Sequence, residues 1–458
     1  MTGIFNSYKK YYLTNLKLAI PLVISQAGQV VVALVDNIMV GRVGTGALAA
    51  SSFANNIFII ILVFGIGFSF AITPMVGKAM GSGDVKAAAN WFRHGFLVNI
   101  LMGFFLVLLS VAVSFFMPHM GQPDEVVELG VPYFLVISVS IIPFLYFAAF
   151  KQFAEGLSNT RIAMVITIAG NLVNIIFNYL LIFGKAGFPE LGLLGAGIGT
   201  LIARIFMAAA FALAYRKLVL FERFRKIHGE IRYSLKEAMQ LMRLGAPIGT
   251  QFIVEVFAFS MGGIMMGWLG EVSLAAHQIV LTVSSLTYMM SSGLASATTI
   301  IVSTLRGEGK KEELKYSAFA SVHLVIMFMI FTATVYVLFR NYIPVLFISD
   351  PDVISIASGL FIIAAFFQIF DGLQVVVIGI LRGMEDVVFP MAVIGVAYLI
   401  VGVPAGYVLS FIFDIGPSGI WFGYLTGLAI VGLVLLFRFR WLYSHYAVSH
   451  QTTAKDDN

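Results

Sequence analysis

Cysteine is absent from the 458 residues, which excludes disulfide frameworks, Cys-ligated zinc and a thiol nucleophile. Charge is scarce. Asp, Glu, Lys and Arg make up 11% of the chain, against about 25% in a soluble domain. No Gly-x-x-x-x-Gly-Lys-Ser/Thr pattern occurs, so the phosphate cradle of a P-loop ATPase is missing and direct ATP drive is not expected. The histidines form no cluster with metal-ligand spacing. The chain is therefore read as neither an enzyme nor a cofactor protein. The net charge of +5 is no nucleic-acid signature, because the basic residues are scattered through loops. The first 16 residues lack the pattern of a cleaved signal, so the first apolar run is expected to be a retained span.

What fills the chain instead is hydrocarbon. Hydrophobic residues account for 60%, mean hydropathy is +0.96, and the 44 glycines suit membrane helices, where Gly and Pro are commoner than in soluble ones. A helix needs about 20 apolar residues to cross the bilayer core. The apolar runs predict spans near 17–40, 47–76, 91–116, 130–153, 161–184 and 193–220, then 243–268, 274–304, 316–339, 354–381, 388–413 and 417–442. The expected fold is an all-α integral membrane protein with twelve transmembrane helices in two pseudo-symmetric six-helix lobes. Residues 1–220 form the first lobe, 221–242 a basic linker lying near the lipid surface, and 243–458 the second lobe with its tail.

Lys and Arg accumulate in cytoplasmic loops. With both termini and every second loop in the cytoplasm, that side receives 24 of the 28 basic residues, Arg382 among them. The exceptions are Arg42, Lys185, Arg340 and, within a span, Arg204. The two halves are related: Leu18-Ala-Ile-Pro21 matches Leu244-Gly-Ala-Pro247, and Pro247 lies 226 residues after Pro21. Without a gap the same offset aligns Ile38-Met39-x-Gly41-x-x-Gly44 with Ile264-Met265-x-Gly267-x-x-Gly270, and Gly81-x-Gly83 with Gly307-x-Gly309. From Leu18 to Gly83, 16 of 66 positions are identical. With six spans in each half the repeat is parallel, an arrangement suited to alternating access.

Acidic groups at membrane depth cost about 2.5–3.5 kcal/mol each on insertion scales and are functional candidates by default. Asp36 lies in span 1, Glu255 in span 7 and Asp371 in span 10. By the repeat offset Asp36 matches Gly262 and Glu255 matches Gln29, so each half has its own acidic site at a non-equivalent position. Such carboxylates can serve packing alone, neutralised by hydrogen bonds. They can also bind a proton or Na⁺ and alternately a cationic substrate. Burial favours the neutral form of a carboxyl group, which brings proton exchange toward neutral pH. In span 5, Asn171, Asn174 and Asn178 share one helical face, where their amides can serve Na⁺ or hold the bundle together. Asp36 is a candidate neighbour, Thr200 in span 6 a candidate addition, and Gln278 a candidate cleft-facing group. His277 is read as a packing residue, and Arg204 as a side chain that snorkels or pairs locally.

In combination these residues resemble the multidrug and toxic compound extrusion (MATE) transporters, in their NorM-type bacterial branch. The carrying segments are Pro21 with Asp36-x-x-Met39-x-Gly41, Gly245-Ala-Pro247-Ile248-Gly249 followed by Glu255, and Leu274-Ala-Ala-His277-Gln278. To these add Gln368-x-x-Asp371 with Leu381-Arg-Gly383, Gly195-Ala-Gly197-x-Gly199 and Pro417-Ser-Gly419-Ile-Trp421. The resemblance covers essentially the whole chain. It implies a monomeric, multi-pass protein of the bacterial inner membrane that exports organic cation drugs and dyes in exchange for Na⁺ or H⁺. Glu255 and Asp371 would form a cation site in the second lobe, and Asp36 with Asn174 and Asn178 one in the first. Some NorM-type members carry a Tyr where this chain has Phe367, which leaves the choice between Na⁺ and H⁺ open. The rival is a flippase for lipid-linked sugars of the same broader superfamily. That job favours a basic cleft for pyrophosphate, whereas the charges in these spans are mainly acidic.

Overall fold

A computed structural model describes the backbone of residues 2–227 and 232–456, and the side chains of 8–227 and 232–445. Residues 228–231 of the expected linker, and the Lys455 side chain, lie outside the described residues. Among the described residues twelve helices are long and apolar enough to cross a membrane. They are α1 Tyr8–Gly41, α2 Thr45–Gly81, α3 Val85–Ser114, α4 Asp124–Gly156, α5 Arg161–Phe183, α6 Gly192–Lys217, α7 Leu235–Trp268, α8 Glu271–Gly307, α9 Lys311–Phe339, α10 Pro351–Gly383, α11 Val388–Ile412 and α12 Pro417–His445. Among the described residues there is no strand. All twelve expected spans fall within these helices, give or take a few residues at the ends. Several helices outrun them, because thirty-odd residues at 1.5 Å rise reach about 50 Å, beyond a hydrocarbon core of about 30 Å.

The contacts divide the chain into two compact units, Met1–Val23 with Gln251–Asn458, and Ile24–Thr250. Each unit therefore takes the leading segment of the other half's first helix. Both changes of allegiance come shortly after a matched proline, Pro21 in α1 and Pro247 in α7. Proline removes one rung of the helical ladder and makes bending there cheap. The leading segment of α1 is held by Asn15, whose Nδ2 donates to Ser317 O at 2.9 Å and Ser321 Oγ at 2.8 Å, while Ser317 Oγ donates back to Asn15 Oδ1 at 2.9 Å. The leading segment of α7 packs through Gly249 against Phe64 and Gly245 against Phe68, so closely that a Cβ at either would stand 2.8 Å from a backbone oxygen.

The repeat seen in the sequence is also a repeat of local geometry. Gly83 and Gly309 both take positive φ, 77° and 69°, a conformation open to glycine because it has no Cβ. After α4 and α10 the chain turns through left-handed Ser158 (φ 60°) and Glu385 (φ 63°). There Asn159 N donates to Ala154 O, and Asp386 N to Leu381 O, each at 2.9 Å. Just before these turns Gly156 lies against Val76 and Thr73 O, and Gly383 against Val302 and Thr299 O. The halves differ in continuity. Helix α2 is interrupted at Phe70–Ala71 and α4 at Ser140, whereas α8 and α10 run unbroken. Helix α11 contains π-helical turns at Val396–Gly402 and Val408–Ile412.

The segment after α6 is packed rather than laid on a lipid surface. Phe221 and Phe224, the latter in a short helix Glu222–Ile227, are fully buried, with ring centres 5.9 and 5.1 Å from that of Phe153. The entry to α7 is tied down by His94 of α3. Its Nδ1 meets Asn90 O at 2.9 Å, its Nε2 accepts from Ser234 N at 2.8 Å, and Glu237 stands 3.2 Å away. Asn90 Nδ2 donates to Glu237 at 2.6 Å, and the Arg93 guanidinium lies 4.6 Å from the Tyr233 ring centre. Replacing His94 by Ala removes hydrogen bonds worth about 1 kcal/mol each. Trypsin cleavage of detergent-solubilised protein at Arg232 and Lys236 is expected to accelerate about fivefold or more. An unchanged rate would mean that the linker is held elsewhere.

Candidate functional site

The unit Ile24–Thr250 gathers four of the expected residues into one chain of hydrogen bonds. Asp36, on the last turns of α1 and half-buried, accepts from Asn178 Nδ2 at 2.7 Å. Asn178 Nδ2 also donates to Asn174 Oδ1 at 3.2 Å, Asn174 Nδ2 to Thr200 Oγ1 at 3.3 Å, and Thr200 Oγ1 to Ala196 O at 3.0 Å. Asn174 and Asn178 are buried one turn apart on α5. The amides close on one another because α6 meets α5 through glycine. A Cβ at Gly195 would stand 2.6 Å from the Leu181 carbonyl, and one at Gly199 would overlap Asn178 Oδ1. That Oδ1 is sealed and has no hydrogen-bond partner. Asn171 does not join the chain; its Nδ2 is sealed and unpaired beside Gly28. Tyr133 on α4, which donates to Asn55 Oδ1 at 3.3 Å, lies within electrostatic reach of Asp36.

In the other unit Glu255 on α7 is half-buried and accepts from Gln251 Nε2 at 3.0 Å. Asp371 on α10 is 5% exposed and has no protein hydrogen bond among the described residues. The two carboxyl groups feel each other's charge, and both act on Tyr288 of α8 and Tyr398 of α11. The Tyr398 hydroxyl donates to Gln374 Oε1 at 2.6 Å. Arg382 acts on Glu255 and stands 5.9 Å from the Phe252 ring centre. The alternation of loop charges puts Arg382 in a cytoplasmic loop, but the structure places it inside α10, 6% exposed. Gln278 is exposed on α8 and joins neither cluster. His277, fully buried beside Trp421 and Tyr424 with ring centres 5.8 and 6.3 Å away, is packed as expected. Phe367 is buried against Phe259, Trp421 and Tyr424 and offers no hydroxyl.

The two acidic sites are non-equivalent for a steric reason. The contacts of Gly195 and Gly199 with α5 are repeated by Gly419 and Gly423 with α11. Thr200 therefore corresponds to Tyr424, and Asn178 to Gly406. A Cβ at Gly262, the counterpart of Asp36, would overlap the Tyr424 hydroxyl, which donates to Phe259 O at 3.1 Å. The space that holds a carboxylate and two amides in one half is filled by a tyrosine against glycines in the other. Beside it Ala258, Phe259, Tyr398, Gly402, Val403, Gly423, Tyr424 and others line a small crevice of about 10 Å³, room for about one water molecule.

The family profile MatE matches twice, over residues 21–180 and 247–408. The chain belongs to the MatE family. The two matches start at the paired prolines and repeat the internal alignment. The chain is 32% identical over 440 residues to a probable multidrug resistance protein NorM of Rhizobium meliloti (strain 1021), covering 95% of this chain and 94% of that protein. It is 32% identical over 443 residues to the multidrug resistance protein MdtK of Yersinia pseudotuberculosis serotype O:1b (strain IP 31758), covering 93% and 94%. The fold matches that of a MATE crystal structure in the straight conformation with a TM-score of 0.88 at 19% identity, covering 95% of this chain and 97% of that one. It matches the eukaryotic MATE transporter AtDTX14 with a TM-score of 0.85 at 17% identity, covering 96% and 98%. Within this MatE chain the residues missed from sequence are Tyr288, Tyr398, Arg382, Gln251 and Gln374. All but Arg382 are neutral polar groups inside apolar runs, which no charge signal marks.

Proposed function

We propose that this chain is a multidrug exporter that carries organic cations, drugs and dyes, out of a bacterial cell across the inner membrane in exchange for Na⁺ or H⁺. It works as a monomer with both termini in the cytoplasm. The observation that carries the reading is Asp371: a buried carboxyl group without a protein hydrogen bond among the described residues, within the field of a second carboxyl group, Glu255. Two such groups favour a cation between them, or a proton on one of them. Cargo and coupling ion that compete for that position exchange one for the other. In the other half, Asn178 gives Asp36 an N–H while its own oxygen is sealed and unused. Rotating that amide by half a turn presents the oxygen to Asp36, which is favourable only when a cation or proton has arrived. Names of the relatives support drug export as the task.

The test is reconstitution in liposomes with a trapped Na⁺ or H⁺ load and external ethidium. Dye uptake is expected with an outward-directed gradient of one of the two ions, collapsing when a carrier for that ion dissipates it. Uptake indifferent to both gradients would overturn antiport. Translocation of a lipid-linked sugar without dye uptake would favour the flippase.

A further inference from the structure

Arg204 is a cation near the middle of α6 with no acidic partner among the described residues. Its Nη1 donates to Ser140 Oγ at 2.8 Å, at the interruption of α4. Its guanidinium carbon lies 4.9 Å from the Phe144 ring centre and 5.4 Å from that of Phe58. Among the described residues it enters no ion pair. A guanidinium has five N–H donors, and Ser140 takes one. The remaining nitrogens are not among the sealed, unpaired atoms of the described residues, and the side chain is half-buried rather than enclosed. The repeat also speaks against a purely structural need. By the glycine pairing of α6 with α12, Arg204 corresponds to Leu428, a buried leucine.

The surroundings indicate what the guanidinium is for. Arg204 stands one turn from Thr200 on the same face of α6, and Thr200 ends the hydrogen-bond chain that begins at Asp36. Tyr133 is within electrostatic reach of both Asp36 and Arg204. It precedes Ser140, the partner of Arg204, by two turns of α4, about 10 Å of rise. An acidic group and a basic group therefore belong to one stretch of this unit, spaced on the order of 10 Å along the helices. The ring faces of Phe58 and Phe144 flank the basic end. A planar fork of donors held by aromatic faces matches a carboxylate in two-point contact.

We propose that Arg204 receives the carboxylate of zwitterionic aromatic substrates whose cationic end is held at Asp36. It is a specificity-determining residue of the first-half site. The inference rests on the exporter reading and refines its substrate class. It predicts a split between substrates that differ only in the carboxylate. The probes are norfloxacin, a zwitterion; its methyl ester, a cation; and ethidium, a cation without a carboxylate. In proteoliposomes Arg204→Gln, which keeps a donor for Ser140, is expected to lower norfloxacin transport about tenfold, the effect of removing one charge-assisted hydrogen bond. Ester and ethidium transport should stay within about twofold. Arg204→Lys restores charge without the fork and should recover part of the norfloxacin rate. An equal fall for all three probes, or no change for norfloxacin, overturns the proposal. Should the Gln variant fail to fold, the Lys variant decides by norfloxacin and ester binding to purified protein. A selective fall for norfloxacin supports the assignment, and a parallel or absent change overturns it. Wild-type protein that moves none of the three probes would sink the exporter reading itself, whereas ethidium transport with no carboxylate selectivity sinks only the role of Arg204.

Discussion

Asp371→Asn is expected to abolish ethidium export while leaving expression and the folded yield of purified protein intact. Asparagine keeps the shape of the side chain, and Asp371 makes no protein hydrogen bond among the described residues that the amide would break. What disappears is the negative charge and the capacity to carry a proton. A unit charge facing a monovalent cation at about 4 Å contributes about 4 kcal/mol in a medium of effective dielectric about 20, so its removal weakens cation retention about a thousandfold. Glu255 remains in the site and keeps part of that field, so residual binding with little transport is the anticipated phenotype. Equal rates in cells expressing the variant and the parent would remove Asp371 from the mechanism. Glu255→Gln should reproduce the defect less severely, because Glu255 is half-buried and hydrogen-bonded by Gln251, and Arg382 already offsets part of its charge.

The twelve spans were legible because lipid imposes a simple rule, about twenty apolar residues per crossing, and because most basic residues gather in the breaks between apolar runs. The repeat was legible where both halves need the same backbone: the prolines of α1 and α7, the turn glycines 83 and 309, and the glycines that let α6 and α12 approach their neighbours. What did not show was the exchange of leading segments at Val23 and Thr250, since helical periodicity continues through both prolines. The interruption of α4 at Ser140 was equally invisible, because serine is tolerated inside helices. The amide ladder of α5 was readable from spacing, yet spacing alone counted Asn171 with its neighbours. Gln278 was singled out by its motif, and the structure leaves it exposed on α8, apart from both clusters. Tyr288 and Tyr398 come from α8 and α11, far from Asp371 in sequence, and only the packed bundle brings them toward it, whereas Gln374 stands one turn beyond Asp371 on α10 but carries no charge to mark it.

Gly199→Ala is the second substitution with a large expected effect, and it addresses the other half. The added methyl would overlap Asn178 Oδ1 and stand 3.0 Å from Asn178 N. Helix α6 must then move away from α5, or the Asn178 amide must swing out and release Asp36. Overpacking of this kind costs about 1–3 kcal/mol. Removing the donor to a partly buried carboxylate adds about 1.5–3 kcal/mol to the disturbance of the site. Export of ethidium is expected to fall at least about tenfold, with a modest drop in melting temperature. The pair with Asn178→Ala separates the two routes. If the methyl acts by displacing the amide, Gly199→Ala adds little to a chain that already lacks the amide, and the two defects combine far below additivity. If the helices are simply wedged apart at the Asn178 backbone, the defects add, and the hydrogen bond between Asn178 and Asp36 is incidental to transport.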